Sequence, residues 1–272
     1  MKKYAIGFNK NVEENFDNNV REIACQAANE PKKSIVEVYF PHRGMGWTYY
    51  NDSFDLKVGD WVYVDGKLDG YRGQVKEVNY SFKIKLSDYK RVIAVINTNV
   101  EGDFYFAGSH IVSFDKNAIP FSKVLAWFKA PENDAEYVSG DGEDKGFSID
   151  DLSGMKITHN IADRGYDYFM ENKVVYVELD ENTGHAIVEG RENYEIEFNY
   201  INGEISNLKC SCYCSGACKH EFAAMLQLQE SLDFITQNYS DKFNDYFAAI
   251  TKGMFVNTLM NKKISGKISL GV

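Results

Sequence analysis

The chain is poor in the residues and patterns that mark membrane or exported proteins. It has four prolines, five cysteines and three tryptophans among 272 residues, and no run of about 18 apolar residues that could cross a bilayer. The first residues, MKKYAIGFNKNVEEN, lack the apolar segment and small-residue cleavage site of a signal peptide. A phosphate-binding G-x-x-x-x-G-K-[ST] motif is also missing. We therefore expect a cytoplasmic protein with no membrane partner.

Aromatic residues and clustered cysteines are what the chain does have. The 18 tyrosines and 18 phenylalanines favour β-strands, and the 44% of hydrophobic residues is enough for a sizeable core. Four of the five cysteines fall between positions 210 and 218, which is unlike a disulfide framework spread along a chain. In a reducing compartment such a cluster is typical of a metal site or a catalytic site.

The negative charge is unevenly distributed. The net charge is −10, and residues 132–151 alone hold eight acidic residues and one lysine. Like charges at this density repel each other, and the glycines between them add backbone freedom. We therefore predict a β-rich domain over residues 1–131, an acidic linker over 132–151 and a second domain over 152–272. The alternative is a long surface loop within one domain.

The first domain shows the two-residue period of strands. In SIVEVYF (34–40), Val36, Val38 and Phe40 alternate with the other side chains and form the expected core face. Short strands at close spacing with Asp-Gly turns predict a small barrel, which the helical stretch 121–130 would close. The further strands expected here are 61–64, 74–78, 91–96, 103–106 and 111–114. A short helix is expected at 20–30, with Cys25 as a buried small side chain.

The stretch GDWVYVDGKLDGYRGQVKEV (59–78) resembles the KOW motif of SH3-like barrels. Its Gly-Asp start, alternating valines and Gly-x-x-Gly-x-Val ending carry the resemblance. In that family the loops often contact RNA or other proteins, which would nominate Lys67, Arg72 and Lys76. The aspartates and the glutamate between these bases are instead typical of a solvated face.

The second domain begins with a predicted β-meander and ends in helices. Helical spacing starts after His220 and runs through EFAAMLQLQESL (221–232), and a further helical segment is expected in FNDYFAAI (243–250). We therefore expect a β-rich α+β protein, in which a small SH3-like barrel precedes a meander with the cysteine cluster and a short helical C-terminus. The four meander strands are expected at Lys173–Leu179, His185–Glu189, Tyr194–Tyr200 and Ile205–Leu208.

The stretch LKCSCYCSGACKHEFAAML (208–226) has the spacing of a metal site. Cys210 and Cys212 form a C-x-C pair at the end of a strand, and Cys218 and His220 form a C-x-H pair at the start of a helix. Zinc binds four such ligands in a tetrahedron. Three thiolates and one imidazole leave no open position, so the predicted zinc site is structural and not catalytic.

Several other interpretations of the cluster remain open from the residues alone. Cys214 could replace one of the three thiolates, or it could lie nearby as a free thiol. A redox dithiol usually has C-x-x-C at a helix N-terminus, and a catalytic Cys/His pair needs a cleft and an orienting partner. An iron–sulfur cluster would favour four cysteines and leave His220 unused.

The motif C-x-C, a short spacer, C-K-H and an Ala/Leu-rich helix is similar to the SWIM zinc finger. The preceding segments R-G-Y-x-Y (164–168), N-K-V-V-Y-V and Y-E-I-E-F look like the β-strands that precede the ligands in bacterial SWIM proteins. The resemblance covers about residues 161–228. The departures are the spacer of five residues and the Tyr213–Cys214 pair that follows the first two ligands.

This resemblance implies a zinc-dependent module that binds DNA or proteins. We expect a non-catalytic protein that binds DNA or RNA. The alternative is a protein–protein adaptor, accessory to a helicase or another DNA-processing complex, which the acidity of the chain favours. No carboxylate pair, triad or open metal position indicates an enzyme. The expected nucleic-acid contacts are lysines beside the zinc and in the tail: Lys209, Lys219, Lys252, Lys262, Lys263 and Lys267.

Overall fold

The computed structural model describes residues 31–131, 146–260 and 268–271. The helix expected at 20–30, Cys25 and most of the acidic segment lie outside the described residues, as do Lys262, Lys263 and Lys267. The fold is a β-rich α+β fold, as the sequence predicts. Contacts divide the chain into two compact units, Met1–Val95 and Ile96–Val272.

The described part of the first unit is a five-stranded antiparallel sheet. Its strands are β1 (Ser34–Phe40), β2 (Met45–Asn51), β3 (Trp61–Val64), β4 (Gly73–Asn79) and β5 (Val92–Ile96), with a short 3-10 turn at Leu86–Asp88. The strand order is β2-β1-β4-β3-β5. A bridge between Tyr50 of β2 and Arg91, the residue before β5, joins the two edges. The sheet therefore curves into a small barrel.

The core of this barrel is the face that the alternation predicts. Val36, Val38 and Phe40 are fully buried, and they pack with Val62 and Val64 of β3. Burial of one face of an alternating strand fixes its register, because a slip of one residue would expose this whole set.

The second unit is built on a nine-stranded sheet with four helices among its described residues. Its elements are β6 (Gly102–Ala107), β7 (His110–Ser113), α1 (Phe121–Phe128), β8 (Phe147–Ser148), α2 (His159–Met170), β9 (Val174–Asp180), β10 (Thr183–Glu189), β11 (Asn193–Ile201), β12 (Glu204–Cys210), α3 (Lys219–Asn238), β13 (Tyr246–Thr251), α4 (Lys252–Met260) and β14 (Ile268–Gly271), with a 3-10 turn at Leu152–Met155. The strand order is β14-β6-β7-β13-β9-β10-β11-β12-β8, and only the β14–β6 pair is parallel.

Three features differ from the sequence-based expectations. The division between the units falls at Val95 and not in the acidic segment, because β6 and β7 belong to the large sheet. The predicted helix FNDYFAAI is wrong: residues 246–251 form β13, which is buried on both faces and therefore shows no alternation. The R-G-Y-x-Y segment lies in α2 and not in a strand.

Helix α3 covers the face of the sheet formed by β9 to β12, and α2 packs against α3. Ala224, Met225 and Leu228 of α3 are fully buried in a core that includes Val177 of β9 and Ile196 of β11. This packing fixes where the first turn of α3 lies relative to the end of β12.

Among the described residues, no helix combines the length and the apolar character needed to cross a bilayer.

Candidate metal centre

Four predicted ligands converge where β12 ends and α3 begins. Cys210 is the last residue of β12 and pairs with Ile196 of β11, whereas Cys218 is the N-cap of α3 and His220 lies in its first turn. The three sulfurs and one ring nitrogen, with Cys212 in the intervening loop, all lie within 4.8 Å of one another. This group is positioned to bind a metal ion.

The separations within the group agree with tetrahedral zinc. His220 Nδ1 lies 3.8 Å from the sulfur of Cys210 and 3.7 Å from the sulfur of Cys218. Zinc–sulfur bonds of about 2.3 Å and zinc–nitrogen bonds of about 2.0–2.1 Å correspond to a sulfur–nitrogen edge of about 3.6 Å in a tetrahedron. His220, Cys210 and Cys218 can therefore share one ion after shifts of a few tenths of an ångström between the nitrogen and each sulfur, on the order of the tolerance for such bonds.

Two tyrosine rings orient the imidazole of His220. Tyr194 of β11 stacks on it with ring centroids 4.0 Å apart and planes 20° apart, and Tyr168 of α2 approaches edge-on at 5.5 Å. His220 Nε2 is buried and has no hydrogen-bond partner among the described residues. Packing, rather than the hydrogen bond that usually orients a metal-binding histidine, therefore turns Nδ1 toward the sulfurs.

Cys218 has a second role as the cap of α3. Its sulfur accepts a hydrogen bond from the N–H of Glu221 (3.4 Å), and its own N–H donates to Glu221 Oε2 (2.7 Å). This is a capping box with a cysteine in the place of the usual serine or threonine. The positive end of the helix dipole also favours a thiolate at this position.

The crowding of the thiols separates their pKa values. A hydrogen bond from Cys210 lowers the pKa of Cys218 to about 4, and hydrogen bonds from His220 and the Glu221 N–H act in the same direction against the effect of burial. The pKa of Cys210 is raised because its thiol donates to Cys218. Burial is the main cause that raises the pKa of Cys212 to about 12. Since a divalent cation would replace these protons, the donor set fits a metal ion.

The loop between the ligand pairs is anchored at its start and exposed at its tip. Ser211 donates its N–H to the carbonyl of Glu195, and its hydroxyl accepts the Glu195 N–H, each at 2.9 Å. Tyr213 is fully exposed. Cys214 is exposed and lies outside the group of four. The structure therefore places the fourth clustered cysteine at the edge of the site.

A glycine allows α2 to support the first turn of α3. A Cβ on Gly165 would lie 2.8 Å from the ring of Phe222 and 2.9 Å from the carbonyl oxygen of Lys219. The amine of Lys219 also donates to the hydroxyl of Tyr168 (2.8 Å) and lies 4.2 Å from the centre of its ring. The turn that carries His220 is thus also held by α2.

The predicted contact lysines are placed unequally. Lys209 is exposed on β12 directly before the first ligand, opposite Glu197 of β11. Lys219 is half-buried against Tyr168, and Lys252 donates to the carbonyl of Gly108 at 2.7 Å. Of the described lysines expected to bind nucleic acid, Lys209 and Lys219 are the two that lie beside the ligands in the chain.

Sequence reasoning missed the residues that surround the ligands. Gly165 and Tyr168 belong to the R-G-Y-x-Y segment, which the sequence analysis placed among the strands and not beside the candidate ligands. No pattern in the sequence around Tyr194 indicates that its ring lies against His220. The cap could have been found, because the C-K-H-E stretch places Glu221 three residues after Cys218, as a capping box requires.

Comparison of the chain with protein-family models, with curated proteins and with solved structures found no match in any of the three.

Proposed function

We propose that Cys210, Cys212, Cys218 and His220 bind one Zn²⁺ in a non-catalytic binding module of the SWIM type. The convergence of the four donor atoms within 4.8 Å carries this proposal. Three thiolates and one imidazole form a donor set that suits zinc. Because protein side chains would fill all four positions, no position is left for a water molecule that zinc could activate.

Bound zinc would supply four strong bonds that join the end of β12, the loop after it and the first turn of α3. The loop between Cys210 and Cys218 is short, mostly exposed and, apart from the Ser211 anchor, free of regular structure. The ion would hold this loop against α3, so that the direction of its tip is fixed. A loop that is held in one conformation and exposes its side chains can serve as a contact surface for a partner.

We propose nucleic acid, DNA or RNA, as the partner of this loop. Residues 211–217 contain no acidic residue, Tyr213 is fully exposed at the tip and Lys209 is exposed on the adjoining strand. An exposed aromatic ring and an exposed lysine four residues apart in the chain suit base stacking combined with phosphate contact. The second candidate is a protein–protein adaptor, which is favoured by the net charge of −10, because an acidic chain repels phosphate and attracts basic partners.

Metal analysis of the purified full chain tests the zinc proposal. We expect about one equivalent of zinc, no stoichiometric iron, and a lower unfolding temperature after treatment with a chelator. Zinc below about a tenth of an equivalent, together with unfolding that chelator does not change, would refute it.

Binding of oligonucleotides at low salt tests the partner. We expect Lys209→Glu to weaken binding and to reduce the slope of log affinity against log salt by about 0.7–0.9, as the loss of one phosphate contact does. Lys83→Glu is the matched control, since it makes the same charge change at an exposed lysine in the first unit. If neither DNA nor RNA binds at about 50 mM salt, the adaptor becomes the better candidate.

A further inference from the structure

One end of the barrel exposes a group of large side chains. The turn between β1 and β2 and the loop between β3 and β4 lie at this end, because the end of β1 pairs with the start of β4 at Tyr39 and Gln74. Here Met45, Trp47 and Tyr71 expose 50%, 38% and 45% of their surface. Apolar side chains exposed side by side mark interaction sites more often than isolated ones do.

Ring contacts connect Trp47 and Tyr71 through Phe40 and His42. The rings of His42 and Tyr71 stack with centroids 4.2 Å apart and planes 16° apart. Phe40, which is fully buried, meets His42 edge-on at 6.2 Å and Trp47 at 5.8 Å. We call His42, Met45, Trp47 and Tyr71 the aromatic end of the barrel. Its rings are held in place before any partner arrives.

A glycine lets the second loop approach this surface. A Cβ on Gly73 would lie 2.3 Å from Val38 Cγ1 and 2.8 Å from Phe40 Cε1. Only glycine therefore allows β4 to start this close to β1, and Tyr71, two residues earlier, is thereby brought against His42.

The charges around the aromatic end suit a polyanion. Residues 41–48 include Arg43 and no acidic residue, and Arg72 follows Tyr71 directly. Both arginines are exposed, and Asp69 is the nearest acidic residue in the same loop sequence. The turn 41–48 therefore carries a net positive charge, and the loop 65–72 carries Lys67 and Arg72 against Asp65 and Asp69. Aromatic faces beside arginines are the arrangement that binds single strands, since bases stack on the rings and phosphates pair with guanidinium groups.

We propose that the aromatic end of the barrel is a stacking platform for the bases of single-stranded nucleic acid, with Arg43 and Arg72 at the phosphates. This inference rests on the proposed function, that nucleic acid is the partner, and it names the form of nucleic acid and a contact surface separate from the zinc loop. A duplex keeps its bases stacked on each other and so offers the rings no free face. The platform therefore discriminates between single and double strands without reading sequence.

The test measures anisotropy of labelled oligonucleotides of about 15 residues, as single-stranded DNA, single-stranded RNA and duplex, with the zinc-loaded full chain. We expect both single strands to bind more tightly than duplex and to quench the fluorescence of Trp47. Tyr71→Ala is expected to weaken single-strand binding about tenfold, whereas Tyr71→Phe keeps the ring and changes it less than about twofold. Tyr80→Ala is the matched control, because Tyr80 is 52% exposed and follows β4 at the opposite end of that strand from Tyr71.

The outcomes separate this inference from the proposed function. If wild type binds single strands but Tyr71→Ala binds equally well, the platform is overturned while nucleic-acid binding by the zinc module stands. If wild type binds no oligonucleotide, both are overturned, and a peptide that binds through Tyr71 would replace nucleic acid as the occupant. Preference for duplex also overturns the platform. Trp47→Ala, with folding checked by circular dichroism, provides a second variant should Tyr71→Ala fail to fold.

Discussion

Replacement of Cys218 by serine separates the two roles of this residue. The sulfur caps α3 by accepting the Glu221 N–H and is also one of the four predicted zinc ligands. Serine is a preferred N-cap residue, so Cys218→Ser keeps the cap and removes the thiolate. Cys218→Ala removes both. The pair of variants therefore distinguishes a contribution of the metal from a contribution of the helix start.

The expected magnitudes follow from the number of ligands. Structural zinc contributes about 10–16 kcal/mol in zinc-finger peptides, so an equal quarter is about 2.5–4 kcal/mol, or roughly a 60- to 700-fold loss of zinc affinity for Cys218→Ser. Excess chelator removes the metal and, with it, the contribution of the metal to the free energy of unfolding. Under this condition we expect Cys218→Ser to unfold with the same free energy as wild type, and Cys218→Ala to be less stable by about 1 kcal/mol.

Competition with a chromophoric chelator gives the zinc affinity, and urea unfolding followed by circular dichroism gives the stability with and without metal. Cys214→Ser is the matched control, because Cys214 is exposed and outside the group of four. Its zinc affinity is expected to stay within about twofold of wild type. A Cys218→Ser chain that holds zinc as tightly as wild type would show that the ligand set is wrong.

Three further predictions concern the second unit. Gly165→Ala would bring a Cβ to 2.8 Å from the Phe222 ring. Overpacking of this kind costs about 1–3 kcal/mol, whereas the higher helix propensity of alanine contributes ~1 kcal/mol. Urea unfolding should therefore show a net loss of about 1 kcal/mol in the free energy of unfolding. Burial lowers the pKa of His110 to about 4. Because the unfolded chain binds this proton near pH 6.5, stability in chelator should fall by about 3 kcal/mol as the pH drops from about 6.5 to 4, and His110→Gln should remove that part of the pH dependence. The hydroxyl of Tyr176 donates to the buried carbonyl of Ile119 at 2.7 Å, so Tyr176→Phe should lower the free energy of unfolding by about 1–3 kcal/mol, and an unchanged urea midpoint would contradict this.

The sequence predicts strands well where one face is buried and poorly where both are. SIVEVYF alternates, and β1 has the predicted bounds, with Val36, Val38 and Phe40 buried. Strand β13 is buried at all six positions, so its apolar run cannot be told from a helix by period. Strand β2 escaped prediction because its first four residues are exposed and only the last three are buried.

The division of the chain could not be predicted because it depends on distant pairing. Strands β6 and β7 follow the barrel strands closely in sequence, and spacing alone assigns them to the barrel. They instead join the large sheet because β7 pairs with β13, where Ile111 lies opposite Ile250. No pattern in the sequence near β7 indicates that it pairs with β13, more than 130 residues later in the chain.

The convergence of the four candidate ligands was predictable because metal binding restricts both residue type and spacing. Cysteine and histidine at C-x-C and C-x-H intervals have few other uses, and the structure brings these four together. The surroundings are less restricted. Tyr168 and Tyr194 hold the imidazole by ring packing, which many residues on many elements could supply. Their place therefore depends on the complete fold.

The position of β13 within the large sheet has a consequence for biosynthesis. This strand lies between β7 and β9, both of which leave the ribosome well before Tyr246 does. Until β13 arrives, each of those strands presents a row of unpaired backbone groups, which is the kind of edge that other nascent chains can join. The sheet therefore closes late in translation, and a ribosome that stalls before Tyr246 would release two partial sheets with open edges.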